Sequence, residues 1–145
     1  MENITLQRLK MAGWESGRKI DISAFKNKYQ RIGLNMPENV EVFLKEFGLL
    51  QVNHLKWFKD VNFDPIEAIG INLDAEYFEN LLIEYGINTT LYPVGVCYGD
   101  EMFLLMTITN EFYCFTDGCC EKCGVGIEDM LDCLIGECSM AKTVE

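Results

Sequence analysis

The sequence predicts an α+β domain: a mostly antiparallel sheet with helices packed on one face. Three observations predict it. Apolar residues recur at helical spacing through the first half of the chain. Three strand-like runs, rich in β-branched and aromatic residues, follow in the second half and are joined by short polar turns. A last helical segment then closes the domain. The 145 residues contain no repeat, low-complexity tract or linker, so residues 1–145 read as one domain.

The elements follow in order. Ile4 to Met11 sets Leu6 and Leu9 on one face and stops at Gly13, a short helix. Asp21 is a plausible N-cap for a second helix, whose apolar positions are Ile22, Phe25, Tyr29 and Ile32 and whose stop is Gly33. Pro37 suits the first position of a third, with Glu38 and Glu41 at its positive end, Val40, Phe43, Leu44 and Phe47 as its buried stripe, and Gly48 as its end. Leu50 to Phe58 reads as extended, and Phe63 to Ile69 as a loop entering one helical turn. Asp74 caps a further helix carrying Phe78, Leu81, Leu82 and Tyr85 and ending at Gly86.

Beyond Asn88 the period changes to that of strands. Leu91–Tyr98, Met102–Ile108 and Phe112–Thr116 are separated by Gly99-Asp100 and Thr109-Asn110, which is hairpin chemistry. Strands joined this tightly are antiparallel neighbours, because a parallel return needs a long crossover. Asp117 to Gly124 reads as a turn-like segment holding Cys119, Cys120 and Cys123. Ile127 to Ile135 is the closing helix, with Glu128, Asp129 and Asp132 on its outer side, and the tail after about residue 137 reads as loose. The other sheet face is expected to be partly open.

Charge narrows the function classes. Residues 1–60 carry 10 Lys/Arg and 7 Asp/Glu, and residues 61–145 carry 2 and 16, so the net −11 comes from the C-terminal portion. Such a surface repels nucleic acid and anionic lipid and attracts cationic partners; the plainer alternative is that acidity serves solubility. No apolar run approaches the roughly 20 residues of a membrane span. The opening Met-Glu-Asn-Ile-Thr lacks a basic and an apolar leader region, so the expected location is cytoplasmic.

Catalytic signatures are lacking. His54 is the single histidine, and no Gly-x-Ser-x-Gly, phosphate-binding loop or metalloprotease helix motif occurs. Gly124-Val-Gly126 begins a dinucleotide fingerprint, but Asp129 occupies its third glycine position. The seven cysteines are an odd number and read as reduced: Cys97 and Cys114 as core, the others without a complete ligand set. Cys120-Glu-Lys-Cys123 is a C-x₂-C pair, and with Cys119 it leaves a structural zinc or a redox pair as alternatives. The preferred reading has no metal and no cofactor.

Four motifs in the same order resemble one family. Leu9-Lys-Met-Ala-Gly-Trp-Glu-Ser-Gly-Arg18 looks like the "L-x-x-A-G-W-x-x-G-R" opening of the third group of the SUKH superfamily. Phe43-Leu-Lys-Glu-Phe-Gly-Leu-Leu50 resembles its "F-L-x-x-[FY]-G-G-L" turn, with Leu49 in place of the second glycine. Asp64-Pro-Ile-Glu-Ala68 and Leu91-Tyr-Pro-Val-Gly95 are similar to its "DP-x-x-A" and "LYP[IV]G" runs. The resemblance implies a SUKH-like fold and a bacterial immunity protein. Such a protein neutralises a cognate toxin of a polymorphic system, here a nuclease domain of an LXG-type secreted toxin. It carries no catalytic residue to transfer, and the cysteine cluster lies outside its pattern.

A nuclease cleft is basic, so an acidic protein can plug it without chemistry of its own. Candidate contacts are aromatic and acidic residues of the C-terminal hairpins: Tyr98, Asp100, Glu101, Glu111, Tyr113, Asp117 and Glu121. Each also has a plain reading as a solvated turn acid or a core tyrosine. Trp14 and Arg18 are expected to pin the first helix, Arg18 through an ion pair or a backbone carbonyl. The competing functional reading is an intracellular scaffold or regulatory module that binds an endogenous cationic protein; an acid-pair or thiolate hydrolase is a third. The protein is expected to be a monomer or homodimer that touches neither membrane nor nucleic acid directly.

Overall fold

A computed structural model describes residues 1–53, 60–98 and 101–145. Its elements run α1 (Asn3–Met11), α2 (Ser23–Ile32), α3 (Glu38–Phe47), β1 (Gln51–Val52), β2 (Val61–Asn62), α4 (Pro65–Ile69), α5 (Ala75–Asn80), β3 (Tyr92–Cys97), β4 (Met102–Met106), β5 (Glu111–Thr116), β6 (Cys119–Val125), α6 (Ile127–Leu134) and β7 (Lys142–Thr143). The strands form one antiparallel sheet in sequence order, β1 to β7. An α+β meander is what the sequence predicts.

Local chemistry sets the helix ends. Asp74 accepts the Tyr77 N–H at 3.2 Å at the start of α5, and Asp64 accepts the Ile66 N–H at 2.9 Å at the start of α4. Gly33 ends α2 in the left-handed region, where a missing Cβ costs nothing. Asp21 sits one residue before the N-cap, Ile22, and its carboxylate accepts both the N–H and the hydroxyl of Ser23. The single helix expected from Asp74 to Gly86 instead breaks after Asn80, and Ile83–Tyr85 form a 3₁₀ turn that brings the Tyr85 ring 6.1 Å from Phe115.

β6 is the main correction. The segment read as turn-like is a full strand paired with β5, Thr116 opposite Cys119 and Cys114 opposite Glu121. Asp117-Gly118 is the two-residue hairpin that starts it, Gly118 taking φ 81°. The tail read as loose turns back along β6: Lys142 lies opposite Lys122, and the Val144 N–H donates to Cys120 O at 2.8 Å. Of the stretch read as extended from Leu50, β1 covers Gln51–Val52, and His54 to Lys59 lie outside the described residues.

Pairing assigns the faces. Phe103 opposes Phe115, so both point to one side, and Phe112, three residues from Phe115, points to the other. On the Phe112 side, Phe43 of α3 packs 5.6 Å from Phe112 and 5.3 Å from Phe47. Gly124 lies so close to the Met130 backbone of α6 that a Cβ would not fit. On the Phe103 side, the rings of Tyr77 and Phe78 cover Phe103 at 6.1 Å. The second face is thus capped at one end by an aromatic cover from α5.

Candidate functional site

The acids and tyrosines singled out in the sequence divide between two ends and two faces of the sheet. The β3–β4 and β5–β6 turns lie at one end, because Met102 opposes Cys97 and Thr116 opposes Cys119. This end carries Tyr98, Glu101 and Asp117. Tyr98 is half-buried with φ 56°, a left-handed conformation that a tyrosine adopts only under constraint. Burial pushes its phenol pKa up, and Glu121 adds to the shift. Glu101 and Asp117 are exposed, and Asp100 lies outside the described residues.

Glu111 and Tyr113 are not brought to this end. Glu111 starts β5 at the far end and accepts from Lys122 Nζ at 2.9 Å, so its charge is already matched. Tyr113 is only 5% exposed in mid-strand with Lys122 Nζ 5.8 Å from its ring centroid, a core ring under a cation. Glu121 faces the opposite side from Tyr113, since it opposes Cys114. There its charge pushes up the Tyr98 phenol and, more weakly, the Cys97 thiol.

An acidic ridge that the sequence reading did not single out completes the turn end. Asp74, Glu76 and Glu79 on and before α5, with Glu84 in the 3₁₀ turn, are exposed. Tyr77 anchors them: its ring lies on Phe103, burial raises its pKa, and Asp117 adds to the rise, which places Asp117 near α5. Asp74, Glu76, Tyr77, Asn80 and Leu81 line a shallow depression of about 450 Å³. Its signal in the sequence is the dense Asp74-Ala-Glu-Tyr-Phe-Glu79, and no Lys or Arg occurs between Lys59 and Lys122 to offset it. The arrangement can attract and hold a cationic surface, with a half-buried tyrosine at its centre.

Cys119 and Cys120 alternate across β6, and among the described residues no group of three or more His, Cys, Asp or Glu is placed to hold a metal ion. Cys97 and Cys114 are buried with their sulfurs 3.5 Å apart. Contact with Cys114 together with burial pushes the Cys97 thiol up, so it stays protonated.

Trp14 and Arg18 do pin the first helix, as expected. The Trp14 ring stacks on Phe47 at 6.4 Å and its N–H donates to Glu46 Oε2 at 3.1 Å. The Arg18 guanidinium donates to Glu46 O at 2.6 Å and Gly48 O at 2.8 Å, closing the end of α3. Leu49 follows with φ 68°, the glycine-type conformation held by a leucine.

Residues 1–137 match the family described as SUKH-3 immunity protein. The chain belongs to the SUKH-3 immunity protein family. No curated protein and no solved structure matches it. The role associated with the family is immunity. Among the described residues of this SUKH-3 chain, no helix is long and apolar enough to cross a membrane.

Proposed function

We propose that this protein is a cytoplasmic antitoxin that binds a cognate toxin, the nuclease domain of an LXG-type secreted protein, and blocks its basic cleft. The acidic turn end enters the cleft: Glu101, Asp117, Asp74, Glu76 and Glu79 meet the basic side chains that hold nucleic acid, while Tyr77 and Tyr98 supply aromatic contact. The observation that carries this reading is the exposed acidic ridge in a family of immunity proteins, in a stretch without any Lys or Arg from residue 60 to 121. Neutralisation is steric and electrostatic and requires no bond to be made or broken by this chain, no cofactor and no metal. Opposite charge steers the encounter, and oriented carboxylates fix the register.

The test is co-expression with the toxin domain encoded beside this gene, followed by measurement of affinity against salt. Rescue of growth and a Kd that weakens by about tenfold or more between 0.05 and 0.5 M NaCl are expected, because exposed charges are screened over about 4 Å at the higher salt. Absence of both rescue and binding removes the antitoxin reading. Binding that ignores salt, or that survives Glu76→Lys with Asp117→Lys unchanged, removes the acidic plug.

A further inference from the structure

At the end of the sheet opposite the β3–β4 and β5–β6 turns, a groove of about 510 Å³ runs between the start of α3, the β4–β5 turn and the start of α6. Pro37, Val42, Ile108 and Ile127 form its apolar walls. Val42 is 55% exposed and Ile108 58% exposed, so two branched aliphatics stand open to water in one groove.

The walls are fixed by hydrogen bonds. Asn39 Nδ2 donates to Thr107 O at 3.1 Å and to Asn110 Oδ1 at 2.9 Å, tying α3 to the turn. The Gly126 N–H donates to Asn110 O at 2.7 Å, which seats the start of α6 against the same turn. A groove held this way loses little freedom when it is filled. The same bonds leave one acceptor over. Asn39 makes both contacts through Nδ2, and its Oδ1 is the only buried side-chain nitrogen or oxygen without a hydrogen-bond partner among the described residues. A buried acceptor without a donor costs stability, and what this one lacks is an N–H.

Charge narrows the occupant. Among the described residues lining the groove there is no lysine or arginine, and there is Glu38. Exposed Glu128 and Asp129 follow Ile127 in the first turn of α6. The starts of α3 and α6 contribute about half a positive charge each, and the amino terminus lies 3.8 Å from Glu128. Against these, three carboxylates leave the balance negative.

We infer that this groove docks an arginine-bearing, otherwise aliphatic segment of a protein partner. Aliphatic side chains of the segment meet Pro37, Val42, Ile108 and Ile127. The guanidinium lies against Glu38 and, with a small turn of the Asn39 amide, donates to Asn39 Oδ1. Its planar fork serves two acceptors at once and is weakly hydrated, which suits it to an apolar groove better than an ammonium. The inference goes beyond the antitoxin reading, whose contacts lie on the acidic ridge.

The test is a nuclear magnetic resonance titration of the full ¹⁵N-labelled chain with the blocked tripeptide acetyl-Leu-Arg-Leu-amide, compared with acetyl-Leu-Glu-Leu-amide and acetyl-Gly-Arg-Gly-amide. Saturable shifts are expected at the amides of Asn39, Val42, Ile108 and Asn110 with the first peptide, and a Kd about tenfold weaker or more with the other two. Val42→Ser and Ile108→Ser are each expected to weaken the first peptide about fivefold or more, their spectra otherwise near wild type because both side chains are exposed. Glu38→Gln is expected to weaken it about twofold to fivefold. Ile71→Ser, at a 92% exposed aliphatic outside the groove, is the control and is expected to change nothing. No saturable shift at about 5 mM peptide, shifts confined to α5 and Asp117, equal binding of the glutamate peptide, or indifference to both groove substitutions would each overturn the inference. Because the probe contains no toxin, failure here and failure of the acidic ridge are separate results.

Discussion

Replacing Arg18 with Met keeps the aliphatic stem and removes the guanidinium that closes α3. Two carbonyls, Glu46 O and Gly48 O, lose charged donors at 2.6 and 2.8 Å. A hydrogen bond to a charged group is worth about 1.5–3 kcal/mol, but Arg18 is half-buried and water replaces part of each bond, so about 1 kcal/mol apiece is retained as loss. The cation at a helix C-terminus adds about 0.3–1 kcal/mol. The expected total is about 2–3 kcal/mol, a fall of about 4–10 °C in Tm for a chain of this length. Urea unfolding followed by tryptophan fluorescence and by far-ultraviolet circular dichroism measures it; at a slope of about 2 kcal/mol/M the midpoint drops by about 1–1.5 M. Arg18→Lys retains the charge without the fork and recovers about half. A loss below about 0.5 kcal/mol for Arg18→Met, the range of an ordinary surface substitution, would refute the claim that this residue holds the helix end.

Three further outcomes are expected. Leu49→Gly stabilises the protein by about 0.5–1 kcal/mol in the same unfolding assay, since relief of the left-handed backbone (about 1–2 kcal/mol) exceeds the entropy glycine adds to the unfolded chain. At Asp132, burial pushes the pKa up, but hydrogen bonds from the Thr5 hydroxyl at 2.6 Å and the Glu2 N–H at 2.9 Å outweigh it and hold it below the ordinary value. Its contribution is therefore present above about pH 4 and lost as pH falls through the folded-state pKa, so Asp132→Asn flattens the acid limb of a stability profile between about pH 5 and 2. With a chromogenic disulfide at pH 8, exposed Cys138 reacts first and Cys119 more slowly, while Cys97, Cys114, Cys120, Cys123 and Cys133 react only on unfolding. Burial pushes Cys120 up to about 11, leaving about one thiolate in a thousand, so fast labelling of four or more native thiols would contradict the burial described.

Much of the helical part is legible because its signals are local. The cap at Asp74, the left-handed stop at Gly33 and the i, i+3, i+4 stripe of α3 each lie within a turn or two of what they control. β6 escaped because its cue was two residues, Asp117-Gly118, ahead of a run whose charges and cysteines hide the alternation; only the ladder to β5 makes it a strand. The candidate contacts fared by the same logic. Acidity is a property of composition and was visible, whereas the surroundings of each acid are set across strands, so the Lys122 paired with Glu111 and the approach of Asp117 to α5 were not.

By itself, then, the sequence determined the class of fold, the presence of the helices and several of their ends, the family motifs and the excess of negative charge, because each depends on neighbours along the chain or on a sum over it. Tertiary structure decided which face each strand residue occupies, where Arg18 finds its two carbonyls, that Glu101 and Asp117 share an end of the sheet with the acids of α5, and that Val42 and Ile108 stand exposed. Those outcomes depend on strand register and on contacts between residues far apart in sequence. A shift of one residue in register would reverse every one of those faces.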